Sequence, residues 1–197
     1  MSANSYSEDQ LIQRSAAEFL EKELGWQSVY AYDSEVLGLD GTLGRKTYRD
    51  VILEGRLIKS LKKLNRDITP QQIDEVIERI SQQSSSQSLM QINERKYNYL
   101  RDGVPVKNTD ENGVDEEIKI KIIDFDNPDN NDFLCVRELW VYGSIYHRRA
   151  DIVGFVNGLP LLFVELKNHN VAVEDAFNNN YRDYLDTIPQ LFISTPL

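Results

Sequence analysis

Asp151, Glu165 and Lys167 stand at the two ends of an apolar stretch that turns back on itself at Asn157-Gly158. An Asn-Gly pair between hydrophobic runs is the strongest short-range hairpin signal. All three charged groups therefore belong at the end of the hairpin away from its turn. Side chains alternate along a strand, which puts Glu165 and Lys167 on one face. Whether Asp151 joins them depends on register. A two-residue turn pairs Val156 with Leu159 and sets Asp151 opposite Val164, on the wrong face. A three-residue loop ending on a left-handed Gly158 pairs Phe155 with Leu159 and sets Asp151 opposite Phe163, on the right one. The expectation is a bulged three-residue loop, or an equivalent bulge that restores the same parity.

Such a cluster has a definite chemistry. Mg²⁺ and similar cations take hard oxygen ligands, commonly one or two carboxylates completed by water and substrate phosphate. Asp151 and Glu165 supply carboxylates, and the main-chain carbonyl of Leu166 lies between Glu165 and Lys167. A cation held there activates water and offsets charge developing on a phosphate. The Lys167 ammonium can position that water or stabilise the oxyanion. Charged residues at strand ends are also ordinary solvated rims, and short Glu-x-Lys strings are common. Here, however, the apolar run Leu161-Leu-Phe-Val164 precedes the pair and reads as buried on both faces. Charge at its end sits beside the core and needs partners. Arg148 and Arg149 precede Asp151 and suit either phosphate contact or charge balance against the carboxylates. His147 and His169 flank the segment and read as surface or hydrogen-bonded groups.

The elements that must position these groups follow from periodicity. Ser7-Glu8 begins an amphipathic helix that Gly25 stops, and a short strand follows over 26–32. Val51 to Leu64 carries helical spacing. Thr69 caps a second helix with Pro70 at its first position, and a third covers 89–100. These three helices read as packing elements. Ile118, Ile120 and Ile122 alternate with lysines as in a strand, and Asn127 to Asp132 is a turn. Strands are expected over 133–142, 150–156 and 161–166, then a helix over 173–185 and the start of a strand at 191–194. This order predicts an α/β fold, a sheet flanked by helices, and a closing strand implies a chain that continues.

Bulk properties narrow the function. A chain of 197 residues with 41% apolar content fits one sizeable domain. Its formal charge of -10 makes it no basic nucleic-acid binder as a whole. Affinity for phosphate must come from locally concentrated cations or from a partner. The single cysteine, Cys135, rules out an internal disulfide and a thiolate metal site. No apolar run reaches the ~18 residues of a membrane span, so a soluble, cytoplasmic protein without membrane contact is expected. Gly41-Thr-Leu-Gly-Arg-Lys-Thr47 has the look of a phosphate-binding loop, but Arg45 separates the glycine from Lys46. ATP binding by this chain is not expected.

The segment from Arg148 to Asn168, continuing through Val171–Phe177 to Ile188–Phe192, resembles the N-terminal nuclease part of the restriction (motor-bearing) subunit of type I restriction–modification enzymes, within the PD-(D/E)xK nuclease superfamily. The residues from about 33 to 115 hardly match. The resemblance implies a restriction-endonuclease-like mixed central sheet over 1–197. It also implies a helical insert at about 45–101, a catalytic hairpin at 150–167 and a longer motor subunit of which this is the N-terminal piece. It implies metal-dependent endonucleolytic cleavage of double-stranded DNA, with Asp151 and Glu165 as ligands of Mg²⁺ (Mn²⁺ can substitute) and Lys167 catalytic. ATP would serve the motor region of the same polypeptide, and the modification and specificity subunits would be partners. Three departures stand out. Ala150 replaces the motif's proline. A Q-x-x-x-Y element falls on Asn180 and Tyr184, with asparagine for glutamine. The acidic residue of the first helix is Glu8 or Glu18, with Glu8 preferred. The alternative function is a catalytically silent docking or regulatory module of the same complex.

Overall fold

The computed structural model describes residues 8–82, 87–109, 113–166 and 182–193. Helix α1 (Glu8–Leu24) ends at Gly25, whose φ of 69° is the left-handed stop that glycine adopts freely. Strand β1 (Gln27–Tyr30) follows, then α2 (Glu54–Leu64), α3 (Pro70–Ser81) and α4 (Leu89–Asp102). Capping boxes start two of these helices, Thr69 with Gln72 for α3 and Ser88 with Gln91 for α4. An antiparallel ribbon of β2 (Val104–Thr109) and β3 (Asp115–Ile120) comes next, then β4 (Phe133–Tyr142), β5 (His147–Val156) and β6 (Leu159–Val164). Two short helices, α5 (Arg182–Thr187) and α6 (Pro189–Ile193), complete the described residues.

The main sheet has the order β1-β4-β5-β6, with β1 parallel to β4 and the remaining pairs antiparallel. It is a mixed sheet flanked by helices, as the resemblance implies. On one face Ala17 of α1 packs with Cys135 and Ile152. On the other, Tyr184, Ile188, Leu191 and Phe192 pack with Leu134, Val136, Val153 and Phe155. The α2–α4 segment has its own core, in which Leu57, Leu61, Val76 and Ile80 meet Val104, Ile120 and Leu159. Leu159 of β6 ties that core to the sheet.

The hairpin turn has two residues, with Val156 paired to Leu159. Asn157 and Gly158 have φ of 53° and 82°, the double left-handed conformation of a type I′ turn. Asn157 is fully buried; its amide donates to the Ile122 carbonyl and to Asn131, and its Oδ1 accepts from the Asp132 N–H. The three-residue loop is thus corrected, because these bonds hold the tighter turn. Parity is nevertheless restored. The pairing shifts between Phe155↔Pro160 and Gly154↔Leu162, so that Leu161 is an extra residue on β6.

A second irregularity lies on β4. Arg137 pairs with Ile152 and Leu139 with Ala150, but the pair between them, Glu138 and Asp151, is skipped. Glu138 has φ of 58°, unusual for a residue within a strand. Leu134 and Val136 before it, and Leu139 and Val141 after it, enter the same core, so the strand changes face at Glu138. Val153 and Ala150 of β5 show the matching change around Asp151.

Two sequence expectations are corrected. Residues 189–193 are helical, because Ile188, Leu191 and Phe192 have the i, i+3, i+4 spacing that buries one helical face, here against the sheet. Strand β2 was not expected, and β2–β3 stands apart from the main sheet. The helix expected over 173–185 falls partly outside the described residues, and its described portion from Arg182 is helical. No described helix is long and apolar enough to cross a membrane.

Gly158 combines a left-handed φ of 82° with tight surroundings: an added Cβ would sit 2.5 Å from the Leu53 carbonyl oxygen and 2.8 Å from the Leu57 nitrogen. Gly158→Ala is expected to cost about 2–4 kcal/mol in urea unfolding, from strain plus overpacking. Gly25→Ala, at φ 69° with open space around it, should cost only about 1–2 kcal/mol. Equal losses at the two sites would show that packing against α2 contributes nothing.

Candidate active site

Extending the β5–β6 register one step beyond Ile152↔Val164 sets Asp151 across from Glu165. The hydrogen bonds agree. Asp151 Oδ2 accepts from the Leu166 main-chain N–H at 2.7 Å, and Oδ1 accepts from the Gln13 amide of α1 at 3.0 Å. Glu165 Oε2 accepts from the Tyr184 hydroxyl at 3.0 Å, and the Arg149 carbonyl lies 3.0 Å from the same hydroxyl. One phenolic proton thus serves two acceptors, and Tyr184 spans β5 and the end of β6. Burial pushes the Tyr184 pKa well above its ordinary value, and the nearby carboxylates of Glu165 and Asp151 push it further in the same direction. Both carboxylates therefore lie close to one buried hydroxyl. The ring is held edge-on by Phe163 at 5.2 Å.

Of the residues singled out in the sequence, Asp151, Glu165, Leu166 and Tyr184 are brought together. Lys167, Asn180 and His169 lie outside the described residues, and Glu8 contributes its backbone as the first residue of α1. Glu18 is directed elsewhere, paired with Arg14 and Lys22 along the exposed face of α1. Its pKa is lowered by those two partners. The α1 residue that reaches the site is Gln13, which sequence reasoning missed. Gln13 lies four positions before Ala17 on the buried stripe of α1, with only 4% of it exposed, and its spacing is the one hint that the sequence offers.

The two arginines have partners of their own. Arg148 forms a two-bond ion pair with Asp183, at 2.7 and 2.8 Å. Arg149 pairs with the buried Glu138, and its guanidinium lies over the rings of Tyr32 at 4.7 Å and Trp140 at 5.7 Å. Glu138, the strained residue opposite Asp151, was not singled out by the sequence either. His147 stacks against Trp140 and Tyr142.

The donors gathered here are hard oxygens, two carboxylates and, next along the chain, the Leu166 carbonyl. Each carboxylate oxygen carries two lone pairs, so one hydrogen bond and one cation can share it. No described group of three or more His, Cys, Asp or Glu residues is arranged to hold a metal. A cation here would rely on the two carboxylates, a carbonyl and water, a set that Mg²⁺ tolerates. Cys135 is buried, and burial pushes its thiol up to about 11, so it remains an inert core residue.

Comparison with known proteins shows the family to which the chain belongs. A family model described as the type I restriction enzyme R protein N terminus matches residues 5–193. The type I restriction enzyme HindI endonuclease subunit of Haemophilus influenzae is 32% identical over 176 residues, 87% of this chain and 16% of that protein. The putative type I restriction enzyme MjaIXP endonuclease subunit of Methanocaldococcus jannaschii is 31% identical over 191 residues, 94% of this chain and 18% of that protein. A Staphylococcus aureus subunit of the same type (strain COL) is 28% identical over 166 residues, 79% of this chain and 16% of that protein. The chain thus spans less than a fifth of the length of these relatives.

Tyr184→Phe keeps the ring and removes the shared hydrogen bonds, for an expected loss of about 1–2 kcal/mol near neutral pH. The pH dependence has a definite sign. The native chain holds the phenol protonated above its ordinary range, so the hydroxyl's contribution is complete below the unfolded pKa of about 10 and falls as pH rises beyond it. Urea unfolding of wild type and variant should show a constant difference from about pH 7 to 9, narrowing from about pH 10. A difference that widens there would contradict the assignment.

Proposed function

We propose, because this chain belongs to the family of type I restriction enzyme R protein N termini, that its Asp151–Glu165 pocket is the active site of an endonuclease acting on double-stranded DNA in a type I restriction system. The observation that carries this reading is the extra residue Leu161, which sets Asp151 across from Glu165 at the open end of the hairpin, beside the core. Two carboxylates at the edge of an apolar sheet are costly to desolvate unless their charge is compensated. A divalent cation held by them would supply that compensation.

In this reading Asp151, Glu165 and the Leu166 carbonyl hold Mg²⁺, with Mn²⁺ able to substitute. Bound there, the cation supplies Lewis-acid activation of water and neutralises charge on the scissile phosphate. The residues of the chain provide the rest. Gln13 and the Leu166 N–H orient both oxygens of Asp151. Tyr184 fixes Glu165 through a donor that stays protonated across the physiological range. Lys167 follows Leu166 directly, and its ammonium is assigned to positioning the attacking water or stabilising the phosphorane oxygens. The chain functions as one nuclease domain of a longer subunit whose motor region consumes ATP. Modification and specificity subunits select and hold the DNA.

The decisive test is cleavage by the reconstituted full-length complex carrying Lys167→Ala. DNA cutting should fall by at least about a hundredfold, with ATP hydrolysis retained. Undiminished cutting removes Lys167 from the chemistry. In parallel, Mg²⁺ titration of the chain by calorimetry should show weak binding that Asp151→Ala abolishes. Metal binding unchanged by that substitution would favour a silent docking or regulatory module instead.

A further inference from the structure

The exposed cationic face of α2 is a second surface with a definite chemistry, and it lies away from the carboxylate pocket. Between Glu54 and Arg66 the chain carries Arg56, Lys59, Lys62, Lys63 and Arg66 against the single carboxylate of Glu54, within a sequence whose formal charge is -10. Leu57 and Leu61 bury the opposite side of the helix completely. Lys59, Lys62, Lys63 and Arg66 are exposed, and none makes an ion pair among the described residues. Arg56 is paired with Asp132, and Lys63 reaches only the Asp129 carbonyl, at 3.4 Å.

Arg56, Lys59 and Lys63 follow one another at the spacing of a single helical face, and they line one wall of a cavity of about 490 Å³. The rest of the lining is mixed, with Thr42, Gly44, Asn130 and Asn131 beside Leu39 and Leu43. Part of it is the glycine-rich loop whose own Arg45 cannot contribute, because Arg45 is buried against Glu35. The ammonium groups come from α2 instead. Carboxylates are not excluded from this rim, since Asp132 lines the cavity, but its charge is already matched by Arg56. The amide and hydroxyl donors of that lining are engaged within the protein, Thr42 with Ser34, Asn130 with Asp124, and Asn131 with Asp124 and Pro128. The lysines, which form no ion pair among the described residues, are therefore the groups that suit phosphodiester oxygens.

We propose that this face of α2 binds the sugar-phosphate backbone of duplex DNA, independently of sequence, with Lys59 and Lys63 as its principal cations. This rests on the nuclease reading and adds the place where a net-acidic chain holds its substrate. The start of α2 abuts the hairpin turn, where the Leu53 N–H donates to the Gly158 carbonyl at 2.8 Å. Glu165 lies at the other end of β6, at ~3.3 Å per residue roughly 20 Å away. The lysines thus belong to the turn end of the hairpin, away from the carboxylates, and on this proposal they act on binding rather than on the chemical step.

Fluorescence anisotropy of the chain with a labelled duplex of arbitrary sequence, titrated without divalent cation from about 50 to 200 mM salt, tests this. Lys59→Gln/Lys63→Gln should weaken binding about tenfold and flatten the slope of log affinity against log salt by about 1.8, roughly 0.9 for each phosphate no longer neutralised. Lys59→Arg/Lys63→Arg should restore both, and thermal unfolding of all variants should match the wild type. Equal affinity and slope in the Gln variant and the wild type overturns the inference, as does a wild-type chain that fails to bind duplex at low salt. The Asp151→Ala variant keeps the two claims apart. Loss of Mg²⁺ binding in that variant, with duplex binding indifferent to the α2 lysines, overturns the α2 surface alone. Mg²⁺ binding that survives Asp151→Ala, with a duplex slope that depends on the lysines, retains the α2 surface and overturns the metal pocket.

Discussion

A strand has only two faces, and every residue added to or removed from a hairpin exchanges them. In this chain the buried Asn157 fixes a two-residue turn through three side-chain hydrogen bonds, and that turn alone would set Asp151 opposite Val164. The extra residue at Leu161 corrects the count, after which Asp151 meets the Leu166 N–H and lies across from Glu165. Opposite the same aspartate, β4 takes a left-handed step at Glu138 and changes face. Such a conformation costs on the order of 1–3 kcal/mol for a residue other than glycine. Two irregularities in the strands on either side of β5, neither needed to build a sheet, converge on one carboxylate.

Three neutral donors reach the carboxylates: an amide from Gln13, a main-chain N–H from Leu166 and a phenol from Tyr184. Such donors orient a carboxylate without cancelling its charge. The neighbouring cations are directed away, Arg148 to Asp183 and Arg149 to Glu138 between two aromatic rings. Neither arginine is thus directed at the carboxylates, which is compatible with the proposed metal-dependent reading.

How much of this was legible follows from the range of each interaction. The capping boxes of α3 and α4, the glycine stop of α1 and the hairpin at Asn157-Gly158 depend on residues close in sequence, and each can be read there. Strand β2 was hidden because Pro105 sits within it, and proline argues against a strand unless its missing N–H faces an edge. The two-stranded ribbon provides such an edge. Residues 189–193 are too short an apolar run for periodicity to separate helix from strand. The need for a parity-restoring bulge could be deduced, but its place could not, since nothing local distinguishes Leu161 from its neighbours. Gln13 and Glu138 were missed for a related reason: their partners, Asp151 and Arg149, are distant in sequence, and only the fold shows which buried polar residue faces which.

The segregation of charge over the molecule has a physical logic of its own. Further cations beside Asp151 and Glu165, beyond the Lys167 assigned to the chemistry, would compete with a metal for the carboxylates. Phosphate-holding cations are better kept at a distance at which they cannot reach those oxygens yet still act on the same polyanion. Roughly 20 Å satisfies both conditions, since it amounts to about two Debye lengths at about 0.1 M salt and spans on the order of six base-pair steps of duplex. The hairpin supplies that separation directly: its open end carries the carboxylates, and its turn rests on α2. On the α2 proposal, a chain with a formal charge of -10 would engage DNA through a small basic face while the end that carries the carboxylates stays acidic. On this view the acidic balance is compatible with a nucleic-acid substrate, because what matters to a phosphate is the charge within a Debye length of it rather than the sum over the chain.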